Sequence, residues 1–325
     1  MSAADTMVNA WYGRAWWLWL LRPVEFVFRL VAASRRTVYR LGVMSAAKGS
    51  VPLIVVGNIT VGGTGKTPVV IALVEYLQKQ GLRPGVVSRG YGANNEEFPY
   101  SLTANSNASH CGDEALLIYQ RTGCPVVVAP DRPAAVRQLE AEFKVDVVLS
   151  DDGLQHYAMH RDMEIAVVDS RRGVGNGFCL PAGPLREPCS RLADVDFILY
   201  RGSCDPINGV LYRCDSLVNL KTGEIRDFAV GGDLLAVHAV AGIGQPSQFF
   251  ATLRNAGFQT VEHCFSDHHD YTAADLESIS DRPILMTEKD AVKCRPLASD
   301  NCWYLKITAE VPAQVTDAVS ALAKS

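Results

Sequence analysis

Leu53-Ile54-Val55-Val56-Gly57-Asn58-Ile59-Thr60-Val61-Gly62-Gly63-Thr64-Gly65-Lys66-Thr67 is an apolar run, a glycine-rich turn and a Gly-Lys-Thr ending, and a helical pattern continues over 66–80. Strand, loop and helix in that order form a cradle for phosphate. Glycines let consecutive backbone N–H groups curl around an anion at a helix N-terminus. Lys66 can then reach the β- and γ-phosphates, and the Thr67 hydroxyl can ligate Mg²⁺. Thr60, Val61, Gly62, Gly63, Thr64, Gly65, Lys66 and Thr67 are therefore the expected nucleotide site, with Thr60 standing where the usual pattern has its first glycine.

Outward from this loop, short apolar runs recur at 85–88, 126–128, 145–149, 165–168 and 197–200. They are continuous rather than alternating, as strands covered on both faces must be. Helical patterns lie between them, one over 133–143 opened by Asp131 and Pro133. The expected fold is α/β: a P-loop NTPase-like, mostly parallel sheet between helices, over 41–205. Periodicity fades over 206–233, read as a linker, and a second series of runs at 234–240, 260–265, 284–287 and 303–307 predicts a smaller α/β domain over 234–325. Gly242-Ile243-Gly244 lacks the third glycine of a dinucleotide loop and reads as a strand-to-helix turn.

The first fifty residues differ in composition. Seven basic side chains stand against Asp5 and Glu25, a net +5 in a chain of net −4. Four of the five tryptophans (Trp11, Trp16, Trp17 and Trp19) lie there too. The apolar run at 15–21 is too short to span a bilayer, and no signal-peptide cleavage site follows. Tryptophan and arginine interleaved with leucine and phenylalanine suit a headgroup boundary, so 1–40 is expected to be an interfacial helix on an anionic membrane surface. The alternative is a helix packed on the protein's own core. Nine cysteines without a CxxC pair fit a reducing cytosol, and the charge balance excludes a nucleic-acid partner.

A phosphate loop needs an acidic partner for its metal. Val147-Val148-Leu149 runs into Ser150-Asp151-Asp152, the ending that places an aspartate on Mg²⁺, with Asp151 the expected ligand. A solvated strand end is the other reading of the same residues. Thr287-Glu288-Lys289-Asp290 has its lysine one place late for a guanine reader, which favours ATP over GTP. Val61 stands where a partitioning or metallochaperone ATPase would carry its signature lysine.

The motifs taken together are specific. The loop from Gly57 to Pro68, Ser88-Arg89-Gly90-Tyr91-Gly92, Gly112-Asp113-Glu114, Ser150-Asp151-Asp152-Gly153-Leu154-Gln155-His156, Leu180-Pro181-Ala182-Gly183-Pro184-Leu185-Arg186-Glu187, Asp267-His268-His269 and Thr287-Glu288-Lys289-Asp290 resemble, in order, the lipid A 4′-kinase family. The resemblance covers nearly the whole chain. It implies transfer of the ATP γ-phosphoryl group to the 4′-hydroxyl of an acylated glucosamine disaccharide 1-phosphate, at the cytoplasmic face of the Gram-negative inner membrane, with no protein partner implied. It also implies catalytic roles for Lys66, Asp152 and Asp113, with His268 orienting and tuning Asp113 as the base. From the residues alone, Asp113 reads as a helix N-cap, and only the resemblance makes it the base. Arg89, Tyr91, Gln155, Arg132 and Arg186 are the expected substrate contacts, since arginine suits bidentate binding of phosphate. His263, Cys264, Asp267, His268 and His269 match no zinc spacing.

Overall fold

The computed structural model describes residues 3–95, 97–228 and 234–325. Strands β1 (Leu53–Gly57), β2 (Pro84–Ser88), β4 (Val126–Val128), β5 (Val147–Asp151) and β6 (Met163–Asp169) are buried along their whole length. Apolar side chains on both faces leave such strands no solvated side, so they stack in parallel beneath helices. With β7 (Phe197–Arg201) they run in the order β7-β6-β1-β5-β2-β4, and β3 (Tyr100–Ser101) closes the edge antiparallel to β4. Helices α3 (Lys66–Lys79) and α5 (Asp113–Thr122) cover one face, and α6 (Arg132–Glu142) covers the other. Between β3 and α5 stands the single turn α4 (Ala108–Cys111).

Residues 206–233, expected as a linker, instead carry β8 (Gly209–Asn219) and β9 (Ile225–Asp227); 229–233 lie outside the described residues. β8 pairs in parallel with β7 through Gly209 and Val210, and then antiparallel with β13 (Cys302–Glu310). One strand thus carries the sheet onward through β13, β12 (Ile284–Thr287), β10 (Ala236–Ala241) and β11 (Gln259–Cys264). Helix α7 (Pro246–Asn255) packs on one face of this part, and α8 (Ala273–Glu277) and α9 (Glu288–Cys294) on the other. Gly242 and Gly244 form the turn from β10 to α7. The last helix, α10 (Ala313–Ala323), returns to the first part, where Val315 and Val319 join the core and Tyr76 Oη donates to Asp317 at 3.0 Å.

The N-terminal stretch is not one helix. α1 (Ala3–Gly13) ends at Arg14 in the left-handed region, a 3₁₀ turn spans Trp16–Leu21, and α2 (Arg22–Arg40) follows with Pro23 in its first turn. Trp11 and Leu18 are buried, and Trp11 Nε1 donates to Pro181 O at 3.0 Å. Glu25 is buried too and accepts from Cys179 N at 3.1 Å. These contacts seat the stretch on the body of the protein. Trp16, Trp19, Leu20, Val24, Phe26, Val27, Leu30 and Val31 are exposed. No helix among the described residues is long and apolar enough to cross a membrane.

Candidate active site

The phosphate loop leaves β1 at the centre of the sheet and ends at the first turn of α3. Gly65, at φ 81°, is the N-cap of α3, and a Cβ there would meet the Tyr212 hydroxyl at 2.6 Å. That hydroxyl donates to Gly65 O, so β8 buttresses the loop from the far side. Thr60 bridges to Leu185, Val61 N donates to Pro184 O at 2.8 Å and Arg186 N donates to Ile59 O at 2.7 Å. The Pro181–Glu187 turn is therefore a wall of the loop. Gln155 completes the joint, donating to Asn58 O at 3.1 Å and to Glu187 Oε2 at 2.9 Å.

Side-chain charge gathers at the end of β5. Asp152, at φ 52°, meets Lys66 Nζ at 3.4 Å, while Arg186 donates to both its carboxylate oxygens at 3.0 and 3.2 Å. Burial works against its charged form, but Lys66 and Arg186 outweigh burial and hold the carboxyl down to about 2. Asp151 lies beside Val56 of β1, fully buried, with both carboxylate oxygens lacking a hydrogen-bond partner. Burial, reinforced by Glu114, pushes it up to about 7. A buried carboxylate without donors is the arrangement a cation completes. Asp151 and the Thr67 hydroxyl, in the first turn of α3, thus fit a hard divalent metal.

Arg132 departs from the expectation of a substrate-facing loop. It begins α6 and is 1% exposed, and its guanidinium donates to Val87 O at 3.0 Å, Ser150 Oγ at 3.2 Å and Asp151 O at 2.8 Å. It ties the ends of β2 and β5 together beneath the site. Burial brings its pKa down to about 10. Arg89 and Tyr91 are exposed on the loop after β2, and the Tyr91 ring lies 4.9 Å from that of His268.

Asp113 and His268, 155 residues apart, meet at 2.9 Å between His268 Nδ1 and Asp113 Oδ2. Gly112 at φ 84° is the N-cap of α5, and a Cβ there would stand 2.6 Å from Tyr91 O. Asp113 is therefore the first helical residue rather than the cap. Its Oδ1 accepts from Glu114 N at 2.9 Å, leaving Oδ2 for His268. His268 lies after β11 with φ 61°, a conformation that costs a non-glycine residue energy and is held here by its surroundings. Burial opposes the charge on Asp113, but the His268 hydrogen bond, Lys289 and Lys293 together hold it below the usual carboxylate range. The bond to Asp113 raises His268 in turn, against burial and Lys289.

Lys289 and Lys293 received no role from sequence. They are i and i+4 on α9 and present one face to the pair. The signal for Lys289 was the Thr287-Glu288-Lys289-Asp290 motif itself, whereas Lys293 lies beyond it. Thr287 caps α9, and Asp290 Oδ2 accepts from Thr287 Oγ1 at 2.6 Å and from Gly242 N at 3.0 Å. Glu187 was likewise quoted only within its motif, yet it is buried and accepts from Gln155 and Tyr157.

A family model described as Tetraacyldisaccharide-1-P 4′-kinase matches residues 17–324. The tetraacyldisaccharide 4′-kinase of Azotobacter vinelandii is 49% identical over 312 residues, covering 95% of this chain and 94% of the relative. That of Pseudomonas aeruginosa strain PAO1 is 48% identical over 315 residues, with the same coverage. Among solved structures, LpxK from Aquifex aeolicus in complex with ATP superposes with a TM-score of 0.79 at 26% identity, covering 94% of this chain and 99% of that one. A match of this extent, over a site in which the motifs converge, means that the chain belongs to the tetraacyldisaccharide-1-P 4′-kinase family.

Proposed function

We propose that this chain transfers the γ-phosphoryl group of ATP to the 4′-hydroxyl of a tetraacyldisaccharide 1-phosphate, with the phosphate loop holding the nucleotide and Asp113 accepting the hydroxyl proton. The 2.9 Å contact between Asp113 and His268 carries the assignment of the base. It gives a buried carboxylate an orienting partner on Oδ2, while Oδ1, which accepts only from Glu114 N, keeps a lone pair on which to receive a proton. As the 4′-oxygen bonds to the γ-phosphorus, its proton passes to Asp113, and the bond from phosphorus to the β,γ-bridging oxygen breaks, leaving ADP. Lys66 neutralises phosphate charge, and Asp152 with Arg186 sets the position of Lys66. Thr67 and Asp151 are the residues that would hold Mg²⁺, which when bound would supply further neutralisation of phosphate charge. Tyr91, exposed beside His268, and Arg89, exposed two residues earlier on the same loop, are the side chains we assign to the acceptor. The partitioning or metallochaperone ATPase alternative finds no support, since Val61 stands in place of its lysine.

Incubating the protein with γ-labelled ATP, Mg²⁺ and detergent-dispersed tetraacyldisaccharide 1-phosphate is expected to place label on the glycolipid. ATP hydrolysis that leaves the lipid unlabelled would overturn the reading.

The acceptor's acyl chains hold it in a membrane, and the exposed apolar residues of 16–31 support docking there, on the cytoplasmic face of the inner membrane. Val24, Val27 and Val31 recur at helical spacing along α2, with Arg29, Arg35, Arg36 and Arg40 on the same helix. Apolar burial and attraction to anionic lipid add in such a stretch. Deleting the whole segment would also remove Trp11, Leu18 and Glu25, which pack inward, so point changes discriminate better. Val27→Asp with Val31→Asp is expected to lower co-sedimentation with anionic vesicles by about 10-fold or more, with thermal unfolding unchanged. Undiminished sedimentation would return this face to another role.

A further inference from the structure

Lys289 Nζ lies 3.4 Å from His268 Nε2, 3.4 Å from Asp267 Oδ1, 3.5 Å from Glu114 Oε1 and 3.7 Å from Asp113 Oδ2. An ammonium has three donors and no acceptor. Asp267 Oδ1 also faces Nε2, at 3.8 Å, but the ammonium is nearer, at 3.4 Å, and favours a lone pair on Nε2 with the imidazole proton on Nδ1, aimed at Asp113. A proton on Nε2 would instead meet a positive charge at close range.

The position of Lys289 is fixed by a second, buried contact. Arg121, on α5, donates to Glu288 Oε1 and Oε2 at 2.6 and 2.8 Å, with both side chains 9% exposed. Glu288 and Lys289 form the first turn of α9, and Asp113 is the first residue of α5. The Arg121–Glu288 pair thus registers the lysine-bearing helix against the helix that carries the base.

We propose that Lys289 is a positioning residue for phosphoryl transfer: facing His268 Nε2, it keeps that nitrogen unprotonated, so that Nδ1–H stays on Asp113 and the carboxylate stays able to accept the acceptor's proton. This rests on the reading of Asp113 as the base. The groups around the pair make the effect one-sided. Glu114 faces it from α5, Asp267 from the loop after β11, Lys293 and its partner Asp290 from α9, the Tyr91 ring from the loop after β2, and the Cys111 thiol from α4, pushed up to about 12 by burial. Without Lys289, one ammonium remains against four carboxylates, and the pair takes up a proton at higher pH. The ammonium of Lys293 does not replace it, since it donates to His269 O at 2.8 Å and lies 4.0 Å from Asp113.

The test is the pH dependence of kcat in Lys289→Met and Lys289→Arg. In Lys289→Met the acid limb is expected to move up by about one pH unit or more, the usual size of a neighbouring charge's effect. Activity at neutral pH then falls about 10-fold and recovers at alkaline pH, with KM for ATP unchanged, while Lys289→Arg keeps the limb near its original place. In ¹⁵N-histidine-labelled protein, with His268 assigned through His268→Gln, the imidazolium of His268 should persist to higher pH in Lys289→Met. An unmoved limb and an unmoved His268 titration overturn the proposal, as does a loss equal at every pH that tracks thermal unfolding. Should Lys289→Met fold poorly, Lys289→Gln carries the same two expectations. Asp113→Asn separates the two layers: full activity there refutes the base, while the His268 titration still reports on Lys289.

Discussion

Lys66→Ala is expected to lower kcat for phosphoryl transfer by about 10³-fold or more while leaving the fold intact. The side chain leaves the first residue of α3, next to a loop whose backbone donors and helix N-terminus already favour an anion. It adds a full positive charge, held by Asp152, where negative charge redistributes on the γ-phosphoryl group, and preorganised charge of this kind is among the strongest sources of rate enhancement in phosphoryl transfer. Stability should change little. Lys66 is paired with Asp152, whose side chain is 31% exposed and keeps two hydrogen bonds from Arg186 after the substitution. Lys66 itself is nearly buried, at 10% exposed, so what limits the loss is that Asp152 is not left as an unpaired charge. Label transfer measured beside thermal unfolding decides the matter. Wild-type turnover in a folded Lys66→Ala protein would remove the phosphate loop from the mechanism.

How much of this was legible beforehand follows from burial. The central strands read directly because their runs are apolar on both faces: 126–128 and 53–56 fall within β4 and β1 almost residue for residue. β8 escaped because its middle is only partly buried and carries Arg213 and Asp215, so neither a continuous nor a clean alternating pattern survives there. Trp11 was grouped with the exposed tryptophans because composition cannot say which indole turns inward. Arg132 was misassigned for a related reason, since a guanidinium that braces carbonyls and one that awaits a phosphate are the same residue in a sequence. The phosphate loop could be read from spacing because its parts are local. The Asp113–His268 pair spans 155 residues, and no periodicity links them; the family resemblance supplied that expectation. Lys289 had no such help, because its role arises only where α9 meets α5.

Asp113→Asn and His268→Ala are each expected to lower kcat by roughly 10²- to 10⁴-fold, the range of general acid–base assistance, with affinity for ATP nearly unchanged. The double variant should be little worse than the poorer single one, because His268 acts only through Asp113, and residues that act as a unit lose their effect together. Stability supplies the control, and its pH dependence has a definite sign. The contact lowers Asp113, so its contribution is present above the carboxyl's unfolded pKa and is lost as pH falls through the depressed value. It raises His268, so that part is present below the imidazole's unfolded pKa and is lost as pH rises through the raised value. The stabilising window therefore lies between the two unfolded values, from about 4 to about 6.5. Turnover needs the carboxylate as a base and is expected to fall toward that window as the pair gains a proton, so stability and activity move in opposite directions with pH. A helix-start role for Asp113 predicts the reverse: small losses that multiply in the double variant and follow the unfolding temperature. Measuring kcat and unfolding for the two singles and the double across that pH range separates the two, because only a base loses turnover where the pair itself contributes most to stability.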